Sequence, residues 1–171
     1  EVLFFGGQPL LLGERFVETP RFDSMDTYSE FVFKCLWPFV KTEYILIVHW
    51  DGFVANPHLW KKEFLDYDYI GATWAWTNDD MRVGNGGFCL RSRKLLMACR
   101  DPRVRRHPEI PFGGIEDIVI CRLYRKQFEA QGLRFAPDAL AEQFSYESGA
   151  PNQIPFGFHA PQNMPLFVPE K

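Results

Sequence analysis

The sequence predicts an α/β fold built as one domain, and three observations carry that prediction. Tyr44-Ile45-Leu46-Ile47-Val48 is continuously apolar and rich in β-branched residues, as a strand buried on both faces must be. Tyr28, Phe31, Val32, Cys35, Leu36 and Phe39 recur at i, i+3, i+4 and i+7, the period of an amphipathic helix. That helix precedes the strand, and further strand-like and helical stretches follow, the order expected of a parallel, helix-covered sheet. The 171 residues suffice for one substantial core and suggest a single domain, 1–171.

Taken in order, Val2 to Phe5 is a short apolar run closed by Gly6-Gly7 and Pro9, the pattern of an interior strand ended by a turn. Ser24 or Asp26 is available to cap the helix that follows, and Pro38 lies near its end. After the strand Tyr44 to Val48, Asp68 to Trp74 reads as a short strand, and Val83 to Arg91 as a glycine turn leading into another. Ser92 caps a short helix through Arg100, and the proline- and glycine-rich stretch Asp101 to Gly114 is a loop. Ile115 to Gln131 is a helix closed by Gly132. Leu133 to Phe135 and Phe144 to Tyr146 read as late strands before a proline-rich tail.

Composition narrows the function classes. At 46% hydrophobic and 24% charged the chain has the profile of a folded globular protein. A net charge of -3, with no run of Lys or Arg, argues against a nucleic-acid partner. No apolar run approaches the roughly 20 residues that span a bilayer, so a soluble domain is expected. Cys35, Cys89, Cys99 and Cys121 form no C-x-x-C pair and each sits in an apolar stretch. They read as buried thiols, and the expected location is cytoplasmic, or the Golgi lumen for a eukaryotic source. Glu1 opens inside a strand-like run without an initiator Met or signal peptide, so the chain is expected to be truncated at its N-terminus.

Three places could hold chemistry. His49-Trp50-Asp51-Gly52 lies where the strand Tyr44 to Val48 runs out, and ligands of open α/β sheets bind beyond the carboxyl ends of strands. In extended backbone His49 and Asp51 point to the same side and could share one cation, although Asp51-Gly52 also reads as a simple turn. In Val83-Gly84-Asn85-Gly86-Gly87-Phe88 the glycines let backbone N–H groups approach a ligand, and Asn85 adds an amide; a plain hairpin turn is the alternative. Arg91 and Arg93 downstream are either solvated charges or phosphate contacts. Gly113-Gly114-Ile115-Glu116-Asp117 puts two carboxylates in the first turn of a helix, where the dipole favours their ionised forms. Acidic residues also simply decorate helix starts. Trp74 and Trp76 bracket the polar loop Thr77-Asn78-Asp79-Asp80, of a kind that covers a sugar, with core packing as the alternative for Trp74. His159 sits among aromatic residues near the C-terminus, where a lone His is more often structural than a ligand.

Five ordered blocks are Trp50-Asp51-Gly52-Phe53, Asp66-Tyr67-Asp68-Tyr69-Ile70-Gly71-Ala72, the run from Val83 through Leu90-Arg91-Ser92-Arg93, Glu116-Asp117, and Phe156-Gly157-Phe158-His159. Together they resemble a family of domains of unknown function distantly related to the GT-A glycosyltransferases. The resemblance implies a GT-A-like (Rossmann-like) domain with a mixed, mainly parallel twisted sheet flanked by helices. It also implies a nucleotide-diphosphate sugar, most simply a UDP-sugar, as donor in a hexosyltransferase-type reaction, with a hydroxyl of a glycan or lipid-linked acceptor. A Mn²⁺ or Mg²⁺ ion would sit on the diphosphate, held by Asp51 with His159 and His49. The first carboxylate of the usual Asp-x-Asp pair is here His49. Asp51, Gly52, Asn85, Gly86, Gly87, Trp74, Trp76 and Arg91 would line the donor. Asp117 would be the base of an inverting transfer and Glu116 would bind the acceptor; a retaining reaction stays open. The strand and loop that begin the nucleotide site in GT-A enzymes are not evident before Glu1. Two other readings share these residues: a non-catalytic glycan-binding or assembly module, and a metal-dependent hydrolase using His49, Asp51 and His159.

Overall fold

The computed structural model describes residues 1–8, 15–19, 21–149 and 153–167. It forms a small mixed α/β domain in which helices and turns surround three small sheets. Strands β1 (Leu3–Gly6) and β2 (Arg15–Glu18) pair in parallel as a separate two-stranded sheet. The early strand therefore forms, but it is half-buried rather than interior, with the ring of Phe5 edge-on to Phe31 and Phe39. Pro9 and parts of the proline-rich tail lie outside the described residues.

Helix α1 (Met25–Glu30) starts with a capping box, since Ser24 Oγ accepts from the Thr27 N–H at 3.2 Å and Thr27 Oγ1 accepts from the Ser24 N–H at 3.3 Å. The chain continues as a π-helical turn (Phe31–Cys35) and a 3-10 turn (Trp37–Phe39) containing Pro38, which donates no N–H and helps stop the helix. The apolar stripe of this segment places Val32, Leu36 and Val40 against Leu96 in a small second core. Cys35, expected on this stripe as a buried thiol, is exposed, whereas Cys89, Cys99 and Cys121 are buried free thiols.

Strand β3 (Tyr44–Val48) follows, then β4 (Phe53–Val54), β5 (Tyr69–Ile70) and β6 (Phe88–Ser92). The order β3-β6-β5 makes β3 an edge strand, antiparallel to β6, and not the parallel strand covered on both faces that its composition suggests. An apolar run records burial but not direction. The chain between β3 and β6 returns through turns and short strands, whereas a parallel pairing requires a crossover connection. Instead β6 occupies the centre, with all five residues buried among the main core that includes Phe64, Tyr69, Ile70, Leu95, Ile120, Phe128 and Phe144.

Helix α2 (Arg93–Ala98) is capped as predicted, by Ser92 Oγ accepting from the Leu95 N–H at 3.0 Å. The next helix begins as α3 (Glu116–Ile118), passes through a π-helical turn (Val119–Leu123) and ends as α4 (Arg125–Ala130). Gly132 closes it with φ +80°, a left-handed value that suits glycine. Helix α5 (Asp138–Phe144) occupies a segment where no helix is expected, so of the late strand only β7 (Ser145–Tyr146) remains. The other expected late strand is reduced to one bridge between Phe135 and Tyr69. Strand β8 (Gly157–Phe158) lies between β4 and β7, and α6 (Met164–Phe167) ends the described chain. Among the described strands only β1-β2 and β7-β8 pair in parallel, so a single mainly parallel sheet is replaced by three short ones. No helix among the described residues is long and apolar enough to cross a membrane.

Candidate functional site

The site grows from the end of β3. The His49 N–H donates to Gly87 O at 2.8 Å, and the Gly52 N–H donates back to His49 O at 3.0 Å. The segment is therefore a tight turn and not extended backbone, yet the turn still brings His49 and Asp51 together. Trp50 stands at its tip, 77% exposed, while Asp51 is 8% exposed. Antiparallel pairing of β4 with β8 carries the C-terminal segment alongside this turn. The His159 N–H is held by Tyr146 O at 2.9 Å. One ligand atom from each of His49, Asp51 and His159 then lies within 4.8 Å of the others.

Neighbouring groups orient all three. Tyr28 Oη hydrogen-bonds His49 Nε2, and the His49 and His159 rings stand edge to face with centroids 5.4 Å apart. His159 Nε2 lies 3.3 Å from Asp51 Oδ1, and its Nδ1 lies 3.2 Å from Glu147 Oε1. Burial, and then the nearby His159, lowers the pKa of His49. Burial also acts to lower the pKa of His159, but the Glu147 hydrogen bond and the charges of Asp51 and Glu147 outweigh it and the net shift is upward.

The glycine block forms the wall of this cluster. A Cβ on Gly87 would stand 2.0 Å from His159 Nε2, so glycine here allows the imidazole to approach the backbone. Asn85 takes the left-handed conformation (φ 62°), and its Oδ1 accepts from the Gly87 N–H at 3.0 Å. Its Nδ2 lies 3.3 Å from His159 Nδ1, and the side chain is buried. The Gly86 N–H donates to Asp117 Oδ2 at 2.8 Å, and the Ile118 N–H donates to Asp117 Oδ1 at 2.7 Å. Burial, followed by the charge of Glu116, raises the Asp117 pKa to about 7. Gly52 sits close to the same wall, a Cβ there lying 3.1 Å from Gly87 O.

Three expected site residues, Arg91, Glu116 and Trp74, are buried in the fold. Arg91 is 0% exposed, and its Nη2 donates to Glu116 Oε1 at 2.8 Å, while Ser29 Oγ accepts from the Glu116 N–H at 3.3 Å. Arg91 therefore cannot bind a donor, nor Glu116 an acceptor: β6 is covered on both faces, so each charge is neutralised by the other inside the fold. Arg93 is also occupied, its Nε donating to Val40 O at 3.0 Å. Trp74 is a core residue whose ring fills the space where a Gly84 Cβ would project. Trp76 remains 63% exposed, 5.2 Å from Trp74 and covered on one side by Arg122 at 5.6 Å.

Tyr28 and Glu147 were not found by sequence reasoning. Tyr28 belongs to the apolar helical stripe and looks like a core residue. Glu147 lies in a loop with no motif, and only the β7-β8 pairing brings it to His159.

No curated protein and no solved structure matches the chain. One family model, described as a protein of unknown function (DUF5672), matches residues 12–159. The chain belongs to that family.

Proposed function

We propose that this domain is a metal-dependent transferase of GT-A type, moving a sugar from a nucleotide-diphosphate donor, a UDP-sugar in the simplest case, to a hydroxyl of a glycan or lipid-linked acceptor. The observation that carries the reading is the meeting of His49, Asp51 and His159 at one strand end, with the Asp117 carboxylate on the adjoining glycine wall. The donor set fits a divalent cation. Bonds of about 2.1 Å keep two ligand atoms of one ion within about 4.2 Å, so side-chain shifts of about half an ångström would close the cluster. Two imidazoles and one carboxylate favour Mn²⁺ over Mg²⁺, and Glu147 on the far nitrogen of His159 is the outer-shell carboxylate that histidine ligands usually carry.

A bound divalent ion would supply positive charge against the departing diphosphate. Asp117 would accept the acceptor's proton on a carboxylate oxygen, and a pKa near 7 suits a general base at neutral pH. Exposed Trp76 offers the donor sugar an aromatic face. The same His49, Asp51 and His159 group also serves the hydrolase reading, in which water replaces the acceptor. Product analysis with and without an acceptor glycan separates the two.

Thermal unfolding with UDP, Mn²⁺ and both together tests the reading. Ligand at roughly 100 Kd adds about 2.7 kcal/mol to stability, so UDP with Mn²⁺ should raise Tm well above either alone in the parent. The Asp51→Ala variant should show no such synergy. Equal stabilisation of parent and variant, or none in the parent, would contradict it.

A further inference from the structure

An imidazole that binds a cation presents one bare nitrogen, so the single N–H of the neutral ring sits on the other nitrogen and needs an acceptor there. At His159 the two nitrogens have different neighbours. Nε2 lies 3.3 Å from Asp51 Oδ1. Nδ1 has two neighbours of opposite kind, Glu147 Oε1 at 3.2 Å and Asn85 Nδ2 at 3.3 Å. The Gly87 N–H donates to Asn85 Oδ1 and so orients that amide, which leaves a donating NH₂ group toward His159. One nitrogen cannot satisfy both neighbours. A bare Nδ1 accepts from Asn85 while Nε2–H donates to Asp51. A protonated Nδ1 donates to Glu147 and leaves Nε2 bare on the Asp51 side.

His49 is constrained at one nitrogen. Tyr28 Oη hydrogen-bonds its Nε2, and the two rings stand edge to face with centroids 4.8 Å apart. Tyr28 is carried by α1, whose start is fixed by the Ser24 capping box. A phenol hydroxyl both donates and accepts, so it can take the N–H of Nε2 and leave Nδ1 bare.

We infer that a divalent cation is taken by His49 through Nδ1 and by His159 through Nε2, and that Tyr28 and Glu147 are the positioning residues that select those nitrogens. The inference rests on the metal reading above and adds the ligand atoms to it. Loading the ion takes the Nδ1 of His159 from Asn85 to Glu147. The ring proton passes from Nε2 to Nδ1, one N–H bond breaking and one forming, so the ring stays neutral. Asp51, relieved of that N–H, has a lone pair for the ion.

The test is nitrogen-15 NMR of the histidine rings in the full chain titrated with cadmium-113, a diamagnetic stand-in for Mn²⁺. Direct coupling to the metal splits only a bound nitrogen, and the four histidines are assigned by single His→Gln variants. Splitting is expected at Nδ1 of His49 and Nε2 of His159, and at neither His58 nor His107. Tyr28→Phe, which removes only the hydroxyl, should lower Mn²⁺ affinity by roughly tenfold to a hundredfold at a Tm close to the parent's. In it His49 should lose its splitting at Nδ1 while His159 keeps its own. Glu147→Gln should lower the affinity over the same range and disturb His159 instead. Splitting at Nε2 of His49 or at Nδ1 of His159, or parental affinity in both variants, would overturn the inference and leave the metal reading standing. No splitting at any histidine would overturn both. Splitting as assigned, without stabilisation by UDP, would sink the transferase reading alone.

Discussion

Glu116 and Asp117 are adjacent in the chain and both border Gly86, yet they meet different groups: a Cβ on Gly86 would lie 2.2 Å from Glu116 Oε1, while the Gly86 N–H donates to Asp117 Oδ2. Glu116 turns inward to Arg91, in a region where both charged side chains are out of solvent and Ser29 satisfies the backbone. Asp117 turns to the Gly86 amide, in the region that also holds His159, and its pKa is raised to about 7. A rotation of about 100° around one helix axis separates the two directions. The same residue chemistry therefore closes a buried ion pair in one case and, in the reaction proposed above, serves as the base in the other. A pair of acidic residues at a helix start does not reveal which is which, because the difference is set by what β6 places behind each.

The largest expected effect breaks the inner region. Glu116→Ala should leave Arg91 buried without its partner and cost about 3–5 kcal/mol, read from the urea midpoint at unchanged m-value. A cost below about 1 kcal/mol would mean that the pair does not anchor the fold. At the neighbouring carboxylate, Asp117→Asn should reduce turnover by at least about 10² and leave UDP affinity nearly unchanged. The parent rate should rise with pH through about 7 as the carboxylate ionises, and the variant should lose that limb.

Stability provides a second, activity-free readout of Asp117. Its folded pKa is raised above the ordinary value of 3.8, so the stability it contributes is fully present below about pH 4 and is lost as pH rises through about 7. Parent stability should fall relative to Asp117→Asn across that window, and parallel curves would contradict the burial of this carboxylate.

Gly87→Ala sharpens the boundary between the regions. Its Cβ would displace the His159 ring from 2.0 Å, which should cost about 1–3 kcal/mol or move the ring aside. Either way Mn²⁺ affinity should fall further than in a remote variant of equal stability, and unchanged affinity would detach Gly87 from the metal cluster. Trp76→Ala should have the smallest effect on the fold, within about 0.5 kcal/mol, because the residue is exposed. A weaker affinity for donor sugar at unchanged Tm would place Trp76 over the ligand, and unchanged affinity would remove it from the site.

The features legible in the sequence were local ones. Ser24 and Ser92 as caps and Gly132 as a helix stop are decided within one turn of helix, and residue type alone is enough. His49 and Asp51 are close in sequence, so even the mistaken assumption of extended backbone left them together. Strand direction was not legible, because β3 acquires its antiparallel partner β6 forty residues later. Arg91 follows the apolar Phe88-Cys89-Leu90, but a charged residue ending a strand looks solvated until Glu116 is placed behind it. Helix α5 is only seven residues long and draws its stability from burying Ala141 and Phe144 in the core rather than from a long amphipathic pattern. Tyr28 and Glu147 join the site only through packing and the β7-β8 pairing.

The central claim is that His49, Asp51 and His159 hold one divalent cation, and Mn²⁺ titration followed by electron paramagnetic resonance tests it most directly, since bound ion leaves the free six-line signal. The account predicts one ion per parent chain, with saturable binding lost in Asp51→Ala and His159→Ala at unchanged Tm. Free Mn²⁺ in the parent throughout the titration, or equal binding by both variants, would contradict it.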